Sequence, residues 1–172
     1  MNIRKSLTSD LESIRNLHLE AFGEEESEEV STLALDLAGV SSSILSLVAV
    51  KVGAVIGHVV FSPISISDND NLSGFILAPL AVSPLEQKQG VGSKLIQFGL
   101  DTLAKNDVDA VFVLGDPNYY CRSGFHTGHD VNPPYSLPYP EAWQAKELKV
   151  GVLQGVSGTV ECVSALMSSK LW

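Results

Sequence analysis

The chain has 172 residues, 45% hydrophobic and 18% charged, with a formal net charge of −9. That length and balance suit one folded domain with a real core and exclude a disordered chain. The acidic surplus argues against general nucleic-acid binding, which needs basic patches to neutralise phosphate, and would tend to draw cationic amines instead.

No apolar run approaches the ~18–20 residues of a membrane span. The first residues, MNIRKSLTSD, contain no secretory apolar region. Cys121 and Cys162 form no C-x-x-C pair, so the reading is a cytoplasmic protein with reduced thiols and no metal site.

Taken in order, Asn2–Ser6 reads as a short strand. Ser9 and Glu12 fit a capping box that opens a helix with Leu11, Ile14, Leu17, His18, Ala21 and Phe22 on one face. His18 on that stripe reads as a core-edge residue. Gly23 breaks the helix, and Val30, Leu33, Ala34 and Leu37 predict a second one ending near Gly39. The acidic run 24–29 suits its N-terminal dipole. Ile44–Val50 and Ala54–Ile66 read as strands joined by a tight turn at Gly53, with His58 buried in the second. A turn cluster, Ser67–Asn71, leads to a third strand, Gly74–Val82.

A short polar loop follows, then Gly90-Val91-Gly92 and an apolar helical stripe from Val91 to Leu103. A helix start offers unpaired N–H groups and the positive end of its dipole, a natural seat for phosphate. Glycines there let the backbone approach such a ligand. The P-loop pattern fails, because Gln87 stands where its first Gly belongs and Ser93-Lys94 is in the wrong order. The dinucleotide fingerprint fails too, since Leu95 replaces its third Gly. Gln87-x-x-Gly90-x-Gly92 satisfies a third pattern, Gln/Arg-x-x-Gly-x-Gly/Ala.

Asp109–Leu114 then reads as a buried strand reached by a helical crossover. Pro117 opens a short helix carrying Asn118, Tyr119 and Tyr120, and Gly124 ends it. His126–Pro140 is Pro-rich and reads as an irregular, exposed loop. Trp143–Val150 and Gly158–Val163 predict two late strands.

The Gln87–Gly92 loop and the Tyr120-x-x-x-Gly124-Phe125 string, one strand apart, resemble the GNAT superfamily of acyl-CoA-dependent N-acetyltransferases. LAPLAVSP at 77–84, LGDPNYYCRSGF at 114–125 and GVSGTVEC at 155–162 are similar to its YhbS-like group of bacterial acetyltransferases. The resemblance implies one domain over residues 1–172, of α/β (α+β) class. Its mixed central sheet would have about seven strands, flanked by about four helices. It implies acetyl transfer from acetyl-CoA to a primary amine on a small molecule or peptide. Backbone groups of Leu80 and Val82 would hold the pantetheine arm, and the Val82 N–H would polarise the thioester carbonyl. Gln87, Lys88, Gln89, Gly90, Val91, Gly92 and Ser93 would hold the pyrophosphate, and Asn118 would meet the arm near the thiol. Tyr120 would be the general acid to the departing thiolate. His58, Glu20, Asp116, His126 or a water remain open as the base, and Cys121 would be incidental. The alternative is a non-catalytic acyl-CoA-binding or sensing module. The acceptor, the acyl chain length and the oligomeric state, a homodimer among the options, stay open.

Overall fold

A computed structural model describes residues 1–39 and 42–172. Its elements are β1 (Asn2–Lys5), α1 (Leu11–Ala21), α2 (Glu24–Ala38), β2 (Leu45–Lys51), β3 (Ala54–Ile66), β4 (Gly74–Val82) and α3 (Val91–Lys105). Then come β5 (Ala110–Leu114), α4 (Pro117–Tyr120), β6 (Asp130–Asn132), β7 (Trp143–Glu147) and β8 (Ser157–Cys162). This is the expected α+β class with four helices. The mixed sheet has eight strands, one more than the seven expected. Its main path runs β1-β2-β3-β4-β5-β7, with β8 on β3 and β6 on β8. The chain groups into two compact units, Met1–Phe61 with Ala78–Gly99 and Ser62–Leu77 with Leu100–Trp172, and β3 and β4 run through both.

In the first unit, β1, β2 and β3 pair antiparallel. Val52 and Gly53, both in the left-handed region (φ 50° and 81°), close the β2–β3 hairpin in the two-residue turn that suits its twist. Cross-strand partners share a face, so Val48 and His58 look one way, and Leu47, Val59 and Phe61 the other. The first face receives α1 and α2: Ile14 and Ala34 pack against Val48 as a fully buried cluster. The second receives α3 through two glycines. A Cβ on Gly57 would meet Leu95 at 2.8 Å, and one on Gly99 would meet the Phe61 ring at 2.1 Å.

The capping box expected at Ser9 and Glu12 does not form. The carboxylate of Asp10 instead takes the Leu7 N–H (2.8 Å) and a bidentate pair from the Arg4 guanidinium (2.6 and 2.9 Å). A charged fork outcompetes a neutral hydroxyl for that turn. Within the acidic run of α2, the side chain of Glu25 lies outside the described residues.

In the second unit, β4 and β5 pair in parallel only from Gly74–Ile76 to Ala110–Phe112. β7 lies antiparallel to β5, with Phe112 opposite Ala145 and Leu114 opposite Trp143. β7 stops at Glu147 rather than at Val150, because the Glu147 carboxylate accepts the N–H groups of Gly151 (3.2 Å) and Leu153 (2.8 Å) and folds the chain into a turn. The 126–140 segment is less irregular than expected. It carries β6, parallel to β8, and the Trp143 indole donates to the Val131 carbonyl at 2.9 Å.

Candidate active site

The loop after β4 is braced by its own side chains. Gln87 Nε2 donates to the Val82 carbonyl (3.1 Å) and Gln89 Nε2 to the Leu85 carbonyl (3.0 Å). The Lys51–Glu86 ion pair, 2.8 Å, ties the preceding turn to the β2–β3 hairpin. Lys88 (φ 60°) and Gly90 (φ 80°) are both left-handed, and nothing lies within 4 Å of a Cβ built on Gly90. Alternation of this kind turns successive N–H groups to one side, the concavity that binds anions. The first backbone bond into α3 runs from the Lys94 N–H to the Gly90 carbonyl, so the N–H groups of Val91, Gly92 and Ser93 have no partner inside the helix. Lys88 and Lys94 are exposed and form no ion pair with any described residue. Leu80 and Val82 are half-buried, and the ladder between β4 and β5 ends before them.

In the other unit, Asp116 caps α4: its Oδ1 accepts the Asn118 N–H at 2.9 Å, with Pro117 at the first helical position. Gly124 ends the following 3₁₀ turn in the left-handed conformation (φ 83°), as expected. Tyr120 stands edge-on to Tyr119 (5.0 Å between ring centroids) and to Phe125 (5.8 Å). A Cβ on Gly115 would lie 2.4 Å from its ring, so only glycine admits the tyrosine there. Burial, then the neighbouring Tyr119, push the Tyr120 phenol above its ordinary value and keep it protonated. Its hydroxyl makes no hydrogen bond to any described residue, which leaves the proton free to be donated. Asn118 is exposed on the same turn, and exposed Cys121 lies just beyond it.

The candidate bases separate clearly. His58 is fully buried, with Nε2 2.9 Å from Ser46 Oγ and Nδ1 2.9 Å from His18 Nε2. Ser6 Oγ donates to Ser46 Oγ at 2.7 Å, making a chain of four side chains. Burial lowers His58 to about 3 and His18 to about 4, so both are neutral near pH 7. Sequence reasoning treated the two histidines apart; forty residues separate them, and only the α1–β3 packing joins them. Asp116 is committed to its cap, His126 accepts the Gly128 N–H through Nδ1 at 3.2 Å, and Glu20 is exposed on α1. Among the described residues, no three His, Cys, Asp or Glu side chains could share a metal ion. Nor is any helix among them long and apolar enough to cross a membrane.

Within one unit, the start of α3 leaves three N–H groups without a helical partner, and within the other, a protonated tyrosine follows β5. The family model for the acetyltransferase (GNAT) family matches residues 11–125. The chain belongs to that family, the acetyl-CoA-dependent N-acetyltransferases. It is 37% identical over 165 residues to the uncharacterized N-acetyltransferase YhbS of Escherichia coli K12, covering 94% of this chain and 95% of that one. The crystal structure of Escherichia coli YhbS in complex with CoA superposes with a TM-score of 0.88 at 34% identity, over 98% of this chain and 92% of that one. A GNAT acetyltransferase from Brucella melitensis, solved with acetyl-CoA, gives 0.75 at 27% identity, over 96% and 97%.

Proposed function

We propose that the chain transfers an acetyl group from acetyl-CoA to a primary amine by direct attack, with Tyr120 as the general acid. The observation that carries this reading is the Gln87–Ser93 loop, whose left-handed Lys88 and Gly90 lead into three unpaired helix-start N–H groups. Relatives solved with CoA and acetyl-CoA support it.

The Val91, Gly92 and Ser93 N–H groups, with Lys88 and Lys94, would bind the pyrophosphate. Backbone groups of Leu80 and Val82 hold the pantetheine arm as an added strand, and Asn118 meets the arm near the sulfur. When bound, acetyl-CoA supplies the acetyl group as a thioester. The Val82 N–H draws charge onto the carbonyl oxygen as the neutral amine attacks. The C–N bond forms, the C–S bond breaks, and Tyr120 gives its proton to the leaving sulfur. The amine sheds its protons to solvent, one of which restores Tyr120. No covalent acyl-enzyme is required, so Cys121 has no part in the step.

Calorimetric titration with acetyl-CoA tests the loop. Gly90→Asp adds a carboxylate in open space but at a left-handed φ of 80°, so local strain and repulsion together should weaken binding by roughly tenfold or more, with thermal unfolding of the variant checking that the domain stays folded. Micromolar binding lost in this variant, together with thiol release in the presence of amines, is the expected pair of results. Binding without thiol release across a broad amine panel would leave a non-catalytic acyl-CoA module. Absence of binding would overturn the reading.

A further inference from the structure

Gln144 stands in β7 between buried Trp143 and Ala145, opposite Val113 of β5, and is itself only 1% exposed. A buried strand position of that kind ordinarily takes an apolar residue. A buried amide is costly unless it is hydrogen-bonded. The Gln144 Nε2 donates to the Gly115 carbonyl at 3.1 Å, with a longer approach to the Ala142 carbonyl at 3.4 Å.

The Gly115 carbonyl needs that donor because the ladder between β5 and β7 is incomplete there. Leu114 pairs with Trp143, and Gly115, a bend residue just past β5, donates its N–H to the Ala142 carbonyl (2.9 Å). In an antiparallel ladder such a pair exchanges a second bond, here from the Ala142 N–H to the Gly115 carbonyl. The Ala142 N–H instead closes a turn on the Tyr139 carbonyl (3.0 Å). No other described residue donates to the Gly115 carbonyl. The Gln144 amide therefore replaces the missing rung, and Gly115 stays bonded to β7 through both of its backbone polar groups.

What Gly115 carries is Tyr120. A Cβ built on Gly115 would lie 2.4 Å from the Tyr120 ring, so the ring rests against that stretch of backbone. The next residue, Asp116, caps α4 with its carboxylate, and its carbonyl accepts the N–H groups of Tyr119 (3.0 Å) and Tyr120 (3.1 Å). Gly115 thus sets both the bed of the ring and the start of the turn that holds it. The Tyr120 hydroxyl has no hydrogen bond to any described residue, so nothing polar corrects the ring if its bed moves. Displacing a reacting group by about 1 Å can cost roughly 10²-fold in rate.

We infer that Gln144 is a positioning residue for the proton donor, holding the Gly115 bend so that the Tyr120 hydroxyl meets the departing sulfur. The inference rests on the reading of Tyr120 as general acid. Its parts, residues 113–125 and 139–145, all lie in one compact unit. In this role Gln144 meets no reacting atom and acts through Gly115.

Gln144→Leu removes the amide at similar size, and Gln144→Asn keeps an amide one carbon too short to reach. Both are made in the full chain, alone and combined with Tyr120→Phe, and thermal unfolding establishes that each is folded. The first readout is NMR of protein labelled with carbon-13 in its tyrosine rings, where Tyr120→Phe identifies one of the four tyrosine signals. Each Gln144 variant should shift or split the Tyr120 signal and leave in place that of Tyr135, whose hydroxyl is anchored on the Met167 carbonyl. The second readout is thiol release from acetyl-CoA with the fastest of benzylamine, spermidine and a lysyl peptide. Each variant should lower kcat several-fold with the amine KM and CoA affinity unchanged, as misplacing a group used only in the transition state does. In the Tyr120→Phe background the same changes should add nothing, because residues that act as a unit are not additive. A merely structural glutamine would lower Tm and leave the Tyr120 signal and this coupling untouched. An unmoved Tyr120 signal, or an undiminished further loss of kcat in the Tyr120→Phe background, would overturn the inference. A signal that moves while neither Tyr120→Phe nor Gln144→Leu alters kcat would keep Gln144 as the residue that places Tyr120 and remove the acid role. Absence of turnover in the parent chain would count against acetyl transfer and leave the signal to decide the placement.

Discussion

Tyr120 is held by three aromatic or glycine contacts yet keeps its hydroxyl unbonded, an unusual economy for a half-buried phenol. Tyr120→Phe preserves the ring packing and deletes only the proton. It should lower kcat by roughly tenfold or more and leave CoA affinity nearly unchanged, as loss of a general acid does. Steady-state kinetics with a parallel CoA titration separates the two quantities, and an unaltered kcat would remove Tyr120 from the mechanism. The short helix that carries Tyr120 was legible because its signals are local: Pro117 opens it and Gly124 ends the following turn within eight residues. The Arg4–Asp10 fork was not, since Ser9 offered the commoner local cap and nothing in the sequence ranks a β1 arginine above it.

At the scale of elements, α3 depends on absence of side chain. In an exposed helix, Gly→Ala gains about 1 kcal/mol from propensity alone. At Gly99 the added carbon would sit 2.1 Å from the Phe61 ring, which is fully buried. Overpacking costs about 1–3 kcal/mol and is expected to win, so Gly99→Ala should lower Tm, measured by thermal unfolding. A variant as stable as the parent would show that Phe61 can turn aside. Sequence reasoning placed Gly99 on the apolar stripe of the helix without seeing that the strand opposite had filled the space. Strands bounded by turn signals were read closely: β3 and β4 begin and end where expected. β6 escaped because it has three residues and pairs with β8, whose first residue lies 25 positions beyond its last. Neither length nor alternation reports a parallel pairing of that kind.

For the whole molecule, buried neutral histidines set the acid limit. His18 and His58 are lowered chiefly by burial, to about 4 and about 3, and His129 shifts the same way. Asp10, paired with Arg4, is the charged group whose field reaches His58, and it only partly offsets the burial. In the unfolded chain each histidine takes up a proton below pH ~6.5, while the native chain refuses it. Stability is therefore complete above that pH and falls as the pH drops toward the native values, approaching about 1.4 kcal/mol per pH unit for each histidine. The carboxylates of Asp10, Asp109 and Glu147 are held below their ordinary values, so their contributions are lost only under more acid conditions. Between pH 6.5 and 5 the slope belongs to the histidines. Urea midpoints across that interval should fall steeply, and His18→Gln should flatten the slope by about one proton even if it lowers stability at pH 7.5. A lost contact shifts the whole curve, whereas only a lost titrating group changes its gradient. A flat profile in the parent chain would mean that water reaches the buried pair and lets it charge in the native state.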